Sequence, residues 1–240
     1  MPNPEPIVDE KIRFVSGDLS LEGVLTYRQD REPSRAALLL SPHPHFAGNL
    51  DNNVLRRLAP ELAASGWGVL RFDYRGVGES EIDWPAGTPA FDYWQRVERE
   101  QRYEPVVDDA RAALAFLGRA LGRVSGFDLV GYSFGAVIAA LTGCSHEGVD
   151  GLVGVAPPLA RYDFAVLEAC PVRKAFVLAA DDFLYGEPDV RRLRSRLGLG
   201  DLLETVDDTD HFFRGHEAVL ARRVREVLTE LAQPEEVATP

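Results

Sequence analysis

The sequence predicts an α/β protein: a mostly parallel central sheet with antiparallel strands at its N-terminal end and helices on both faces. One observation is the run Ala36–Leu40, which is short and wholly apolar, as in a strand buried on both faces. A second is the pattern of the chain beyond that run. Short apolar runs alternate with segments whose apolar residues recur at helical spacing, the pattern of parallel strands joined by crossover helices. A third is size. A chain of 240 residues, 45% of them hydrophobic, can bury one substantial core, so one domain over residues 1–240 is expected.

At the N-terminal end, Lys11–Val15 and Leu21–Tyr27 read as strands, separated by the turn residues Ser16, Gly17 and Asp18, and open the sheet as an antiparallel pair. After Ala36–Leu40, a helix carries Val54, Leu55, Leu58 and Leu62 on one face and stops at Ser65-Gly66. Val69–Asp73 is the next strand. Residues 81–104 form a long insertion, and Pro105 then opens a helix with Val106, Ala110, Ala113, Leu114 and Leu117. Strands come next at Phe127–Val130, Leu152–Val155, Ala175–Ala180 and Leu202–Val206. Helices lie at Phe134–Leu141, Asp189–Leu197 and His216–Leu231. The proline-rich start and the tail Gln233–Pro240 are expected to fray. In a sheet of this kind the chemistry gathers at the carboxyl ends of the strands.

Composition narrows the function classes. The net charge of −12 argues against nucleic acid or an anionic membrane as the main partner and says nothing positive about the substrate. Oligomeric state is not legible. Lys11 and Lys174 are the only lysines. Cys144 and Cys170 are too few for a disulfide framework, so two reduced thiols are expected, with one bridge as the alternative. The N-terminus has no apolar signal core, and no stretch of about 18 apolar residues could span a bilayer. The expectation is a soluble, cytoplasmic chain.

The strand Phe127–Val130 runs into Gly131-Tyr132-Ser133-Phe134-Gly135, and a helix begins at once. G-x-S-x-G alone is weak. At a strand-to-helix turn it describes a tight elbow that exposes a serine Oγ, with the Phe134 N–H and the helix N-terminus facing whatever the serine attacks. Serine needs a base to take its proton, and His211, in "DDTDHFF" just after the last strand, is the candidate. Asp181 and Asp182 follow the Ala175–Ala180 strand. Only one can face the imidazole, because neighbouring residues on an extended chain point oppositely. The order Ser, Asp, His is that of an α/β-hydrolase.

The chain resembles the α/β-hydrolase superfamily along nearly its whole length. It is most similar to small bacterial serine hydrolases whose oxyanion loop reads H-P-H-P-x-x-G-G-x-x-D-N. Ser41–Asn52 reads S-P-H-P-H-F-A-G-N-L-D-N, departing at Ser41 and Ala47. The signature F-x-x-R-G-x-G-x-S appears as Phe72–Ser80. In such families the acid stands three residues after a strand-ending glycine. Ala179 holds that place here, which favours Asp182 over Asp181. The resemblance implies the α/β-hydrolase fold, with Ser133, Asp182 and His211 catalytic.

Pro42 and Pro44 alternate with His43 and His45. Two histidines so close invite a metal reading, but no clustered Cys or carboxylate completes a tetrahedral set, so no metal or organic cofactor is expected. Proline fixes φ and stiffens the loop, which suits an oxyanion hole. Pro42 and Pro44 lack an N–H, so His45 is expected to donate beside Phe134, with Phe46 as the alternative. The insertion 81–104 carries Trp84, Phe91, Tyr93, Trp94 and Tyr103. It is either a packed helical turn or a small lid lining the acyl pocket. Candidate substrate-binding residues are Phe46, Tyr132, Trp84 and Trp94.

The expected activity is hydrolysis of a small-molecule ester or thioester through an acyl-enzyme. The same triad could instead serve an amidase, a peptidase or an acyltransferase. A binding module that kept the fold without catalysis is the alternative of another class.

Overall fold

The structure, a computed structural model, describes residues 7–233. The expectation of frayed ends falls almost wholly on residues 1–6 and 234–240, outside the described residues. β1 (Ile7–Ser16) and β2 (Leu19–Arg28) form an antiparallel pair, joined through Gly17 at φ 59°. β2 lies antiparallel to β4 (Trp67–Phe72). From β4 on, β3 (Arg35–Leu40), β5 (Phe127–Tyr132), β6 (Val149–Val155), β7 (Arg173–Ala179) and β8 (Leu202–Val206) pair in parallel. The eight strands lie in the order β1-β2-β4-β3-β5-β6-β7-β8. This is the predicted class, and the α/β-hydrolase fold.

β3 shows why both faces are apolar. Ala36, Leu38 and Leu40 face a core shared with Leu70, Leu129 and the helices α3 (Glu104–Leu121) and α4 (Phe134–Gly143). Ala37 and Leu39 alternate onto the opposite core with Val69, Val130, α1 (Asn53–Ala64) and α6 (Glu217–Leu231). Period-two alternation between two apolar layers leaves no polar position in the strand. α1 buries Leu55, Leu58 and Leu62, and α6 buries Leu220, Val224 and Leu228, each the stripe that helical periodicity requires. α5 (Glu187–Arg194) is shorter and buries only Leu193.

The insertion contains α2 (Ala90–Glu100), whose Tyr93, Trp94 and Val97 are buried. It is held by the segment after β4. The Arg75 guanidinium forks onto the buried Asp109 of α3 through Nε (2.9 Å) and Nη2 (2.6 Å), and Trp94 Nε1 donates to the Arg75 carbonyl at 3.2 Å. Ser80 Oγ donates to the Asp73 carbonyl at 2.8 Å and accepts from the Glu22 amide at 3.0 Å. The Phe72–Ser80 signature thus braces the insertion and β2.

One expectation is corrected. Cys144 and Cys170 are not two thiols but a disulfide, with Cα atoms 4.7 Å apart. Cys144 caps the C-terminus of α4 and Cys170 precedes β7. The crossover brings together residues 26 apart in sequence, a proximity within bridging range that spacing could not reveal. The bridge withdraws the support that free thiols lent to a cytoplasmic location. Among the described residues no helix is long and apolar enough to cross a membrane.

Candidate active site

β5 ends at Tyr132, and α4 begins two residues later. The turn between them forces Ser133 to φ 55° and ψ −120°, a strained conformation for a residue with a side chain. The flanking glycines make the turn possible. A Cβ at Gly131 would lie 2.1 Å from the Gly135 carbonyl oxygen, and one at Gly135 would lie 2.1 Å from that of Leu40. Without side chains, helix and strand close together and Ser133 stands at the apex.

The partners come from the ends of β7 and β8. His211 Nε2 lies 3.0 Å from Ser133 Oγ, and His211 Nδ1 lies 2.8 Å from Asp182 Oδ2. A carboxylate at Nδ1 holds the imidazole proton there and leaves Nε2 to accept from the serine hydroxyl. Ser133 and His211 are buried, and the Asp182 side chain is fully so. Asp182 Oδ1 accepts the Leu184 amide at 2.8 Å, and Tyr132 Oη donates to the His211 carbonyl at 2.8 Å. Both bonds fix the loops that present the acid and the base. Asp181 is exposed, and among the described residues only its amide is tied down, to the Thr209 carbonyl at 3.0 Å.

Two backbone N–H groups of residues lining the cavity beside Ser133 are unspent among the described residues. Phe134 begins α4 and has no intrahelical acceptor for its N–H. The His43 amide makes no hydrogen bond among the described residues, and His43 lines the same cavity as Ser133 and Phe134. His45, the expected donor, is placed otherwise. It sits in a short 3-10 turn, Pro44–Phe46, where its amide donates to His43 Nδ1 at 3.2 Å. Its ring stacks on Phe91 with centroids 4.1 Å apart. The Phe46 amide is likewise spent, on the His43 carbonyl at 2.8 Å. The turn consumes both amides; alternation of prolines predicted an extended loop and missed this. The next residue, Ala47, takes a left-handed φ of 59°, which glycine would hold without strain. Among the described residues no group of three or more His, Cys, Asp or Glu is placed to hold a metal ion.

The cavity beside Ser133 measures about 210 Å³. Phe46 and Tyr132, expected as substrate-binding residues, line it, with Phe46 largely exposed at the mouth. Trp84 and Trp94 do not. Trp94 is 1% exposed and packs under the site, its ring 5.5 Å from His43 and 6.2 Å from Phe134. Trp84 lies against Tyr93 and under the Arg96 guanidinium, away from the serine. An amphipathic helix buries its large rings inward, so aromatic richness marked a packing face. Sequence reasoning missed Pro158, Arg161 and Tyr162 after β6, Phe183 and Leu184 after β7, and Phe212 after β8. All lie beyond the carboxyl ends of strands, and that rule would have found them.

The far end of the His43 loop is anchored by Asp73, whose Oδ1 accepts the Leu50 amide at 2.6 Å. Burial pushes the Asp73 carboxyl up to about 7; the Leu50 bond opposes this, while neighbouring Glu22 adds to it. A carboxyl raised in the fold stabilises it when protonated. That contribution is complete below about pH 4 and is lost as pH rises through about 7. The thermal midpoint of wild type should therefore fall relative to Asp73→Asn between about pH 5 and pH 8. Parallel profiles for the two proteins would refute this.

The family model for serine aminopeptidase, S33, matches residues 51–180. A curated but uncharacterised protein of Rickettsia prowazekii is 29% identical over 201 residues, covering 80% of this chain and 77% of that one. A putative α/β hydrolase from Agrobacterium tumefaciens, of unknown function, is 25% identical with a TM-score of 0.75, covering 97% of this chain and 100% of that one. An α/β serine hydrolase from Xanthomonas campestris, described as having no lid, shares the fold at 23% identity and a TM-score of 0.76, covering 97% and 100%.

Proposed function

The chain belongs to the serine aminopeptidase S33 family of α/β hydrolases, and from that premise we propose that it is a serine hydrolase cleaving esters or thioesters of small apolar acids. The observation that carries this reading is the hydrogen-bonded chain Ser133–His211–Asp182, at 3.0 Å and 2.8 Å, opening on an apolar cavity. Ser133 Oγ attacks the carbonyl carbon as its proton passes to His211 Nε2. The imidazolium that forms is stabilised by the Asp182 carboxylate. The amides of Phe134 and His43 receive the oxyanion, preorganised before the charge develops. His211 then gives its proton to the leaving oxygen or sulfur, which departs and leaves the acyl group on Ser133. Water repeats the sequence, giving a proton to His211 and its oxygen to the acyl carbon, and Ser133 is regenerated with the free acid.

The walls argue for the acyl group. Phe134, Leu184, Phe183 and Phe212 surround the serine, and the volume of about 210 Å³ suits a short aliphatic or small aryl group better than a long chain. A second reading comes from the family name. An aminopeptidase must hold its substrate's ammonium group, ordinarily with a carboxylate. Among the described residues no Asp or Glu lines this cavity, and its charged wall residue, Arg161, is already paired with Glu98 at 3.2 Å. A cation brought there would be desolvated with no lining carboxylate to pair it.

A panel of nitrophenyl esters from acetyl to decanoyl, matching thioesters and aminoacyl anilides tests both readings. We expect kcat/KM to peak at the butyryl or hexanoyl ester and to exceed that of any aminoacyl anilide by at least about 10-fold. Anilides turned over faster than every ester would establish the aminopeptidase reading in its place.

A further inference from the structure

Glu98, on α2, reaches the loop that carries the proposed oxyanion donor. Its carboxylate accepts from Tyr162 Oη at 2.9 Å and from Arg161 Nη2 at 3.2 Å, and Oε2 lies 3.4 Å from His43 Nε2. That last contact is one of charge: the buried His43 Nε2 makes no hydrogen bond among the described residues, and the Glu98 carboxylate stands within ion-pair range of it. The opposite ring nitrogen, Nδ1, accepts the His45 amide. A neutral imidazole has one proton, and a nitrogen that accepts cannot carry it. The proton therefore belongs on Nε2, the atom facing Glu98. Burial pushes the Glu98 carboxyl up, but His43, Tyr162 and Arg161 together hold it below the usual range, so it is a carboxylate at neutral pH.

His43 is the hub of its turn. Its Nδ1 accepts from His45, and its carbonyl accepts from Phe46 at 2.8 Å and from Gly48 at 3.2 Å. Its ring is gripped by Phe134 and Trp94, at centroid distances of 5.0 and 5.5 Å. If the imidazole proton moved to Nδ1, the His45 amide would lose its acceptor and the turn would loosen at the residue whose own amide is the proposed oxyanion donor.

We propose that Glu98 is a positioning residue: by holding the His43 proton on Nε2 it keeps the turn closed and the His43 amide aimed at the oxyanion. This rests on the acyl-enzyme reading above. It gives the insertion a role in the reaction other than that of a lid.

Imidazole ¹H–¹⁵N correlation spectra of the full-length protein, with kinetics of Glu98→Ala and Glu98→Gln on the hexanoyl ester, test this. Wild-type His43 should be the neutral Nε2–H tautomer. Glu98→Ala should mix the tautomers and lower kcat about 10- to 100-fold with KM within about 3-fold, the signature of a displaced donor. Fluorophosphonate should label Ser133 more slowly in the same proportion. Glu98→Gln keeps an oxygen facing Nε2 and should recover the tautomer and most of the rate. Wild-type His43 protonated on Nδ1 overturns the proposal whatever the variants do. So does a Glu98→Ala protein that is labelled and turns over at wild-type rates. If wild-type Ser133 takes no label at all, the acyl-enzyme reading itself fails.

Discussion

Ser133→Ala should abolish all but a trace of activity, lowering kcat by roughly 10⁴- to 10⁶-fold, equivalent to about 5–8 kcal/mol of transition-state stabilisation. Alanine removes only the atom proposed to bond to the acyl carbon. His211 keeps its bond to Asp182, and the amides of Phe134 and His43 are untouched, so the residue of rate would come from binding and oxyanion stabilisation alone. The fold should be unaffected. The elbow geometry is imposed by the Gly131 and Gly135 contacts, and among the described residues Ser133 Oγ bonds only to His211, so the thermal midpoint should stay within about 3 °C. After fluorophosphonate treatment, mass spectrometry should find one adduct on wild type, on Ser133, and none on the variant. Activity surviving in a folded Ser133→Ala protein would mean that another residue is the nucleophile.

Asp182→Asn should cost on the order of 10⁴-fold in kcat, and the structure explains how. Asp182 Oδ1 accepts the Leu184 amide, so an asparagine would keep its oxygen there and turn its NH₂ toward His211 Nδ1. Two donors cannot face each other, so the imidazole proton would shift to Nε2, the nitrogen that must receive the serine proton. The base would be present in the wrong tautomer. Asp181→Asn is the control. Its side chain is exposed and makes no hydrogen bond among the described residues, so kcat should stay within about 3-fold. Steady-state kinetics on one short acyl ester ranks the two variants, and the reverse ranking would transfer the role to Asp181.

The fold was legible because each strand announced itself locally. β8 runs over Leu202–Val206, the bounds expected, and the other expected strands begin or end within a few residues of theirs. An apolar run with helical segments on either side has few ways to bury itself, and a parallel sheet covered on both faces is the simplest. Ser133 and His211 were legible for a related reason. A glycine-flanked serine at a strand-to-helix turn is a local backbone property, and a histidine after the last strand falls at the carboxyl edge of the sheet.

What sequence alone determined was therefore the layered architecture, the elbow serine and the candidate acid and base, since all depend on short-range pattern and strand order. Tertiary structure decided what depends on where separate loops meet. It set Asp182 rather than Asp181 against His211, because the direction of a side chain past a strand end depends on the turn beyond it. It spent the His45 amide on His43 and left the His43 amide without a partner among the described residues, because a 3-10 turn and an extended loop share the same prolines. It buried Trp94 beneath the site and brought Cys144 to Cys170 across a crossover. It drew the cavity walls from the ends of β3, β5, β6, β7 and β8. Contacts between residues far apart in sequence arise from packing and backbone geometry, and periodicity carries no record of either.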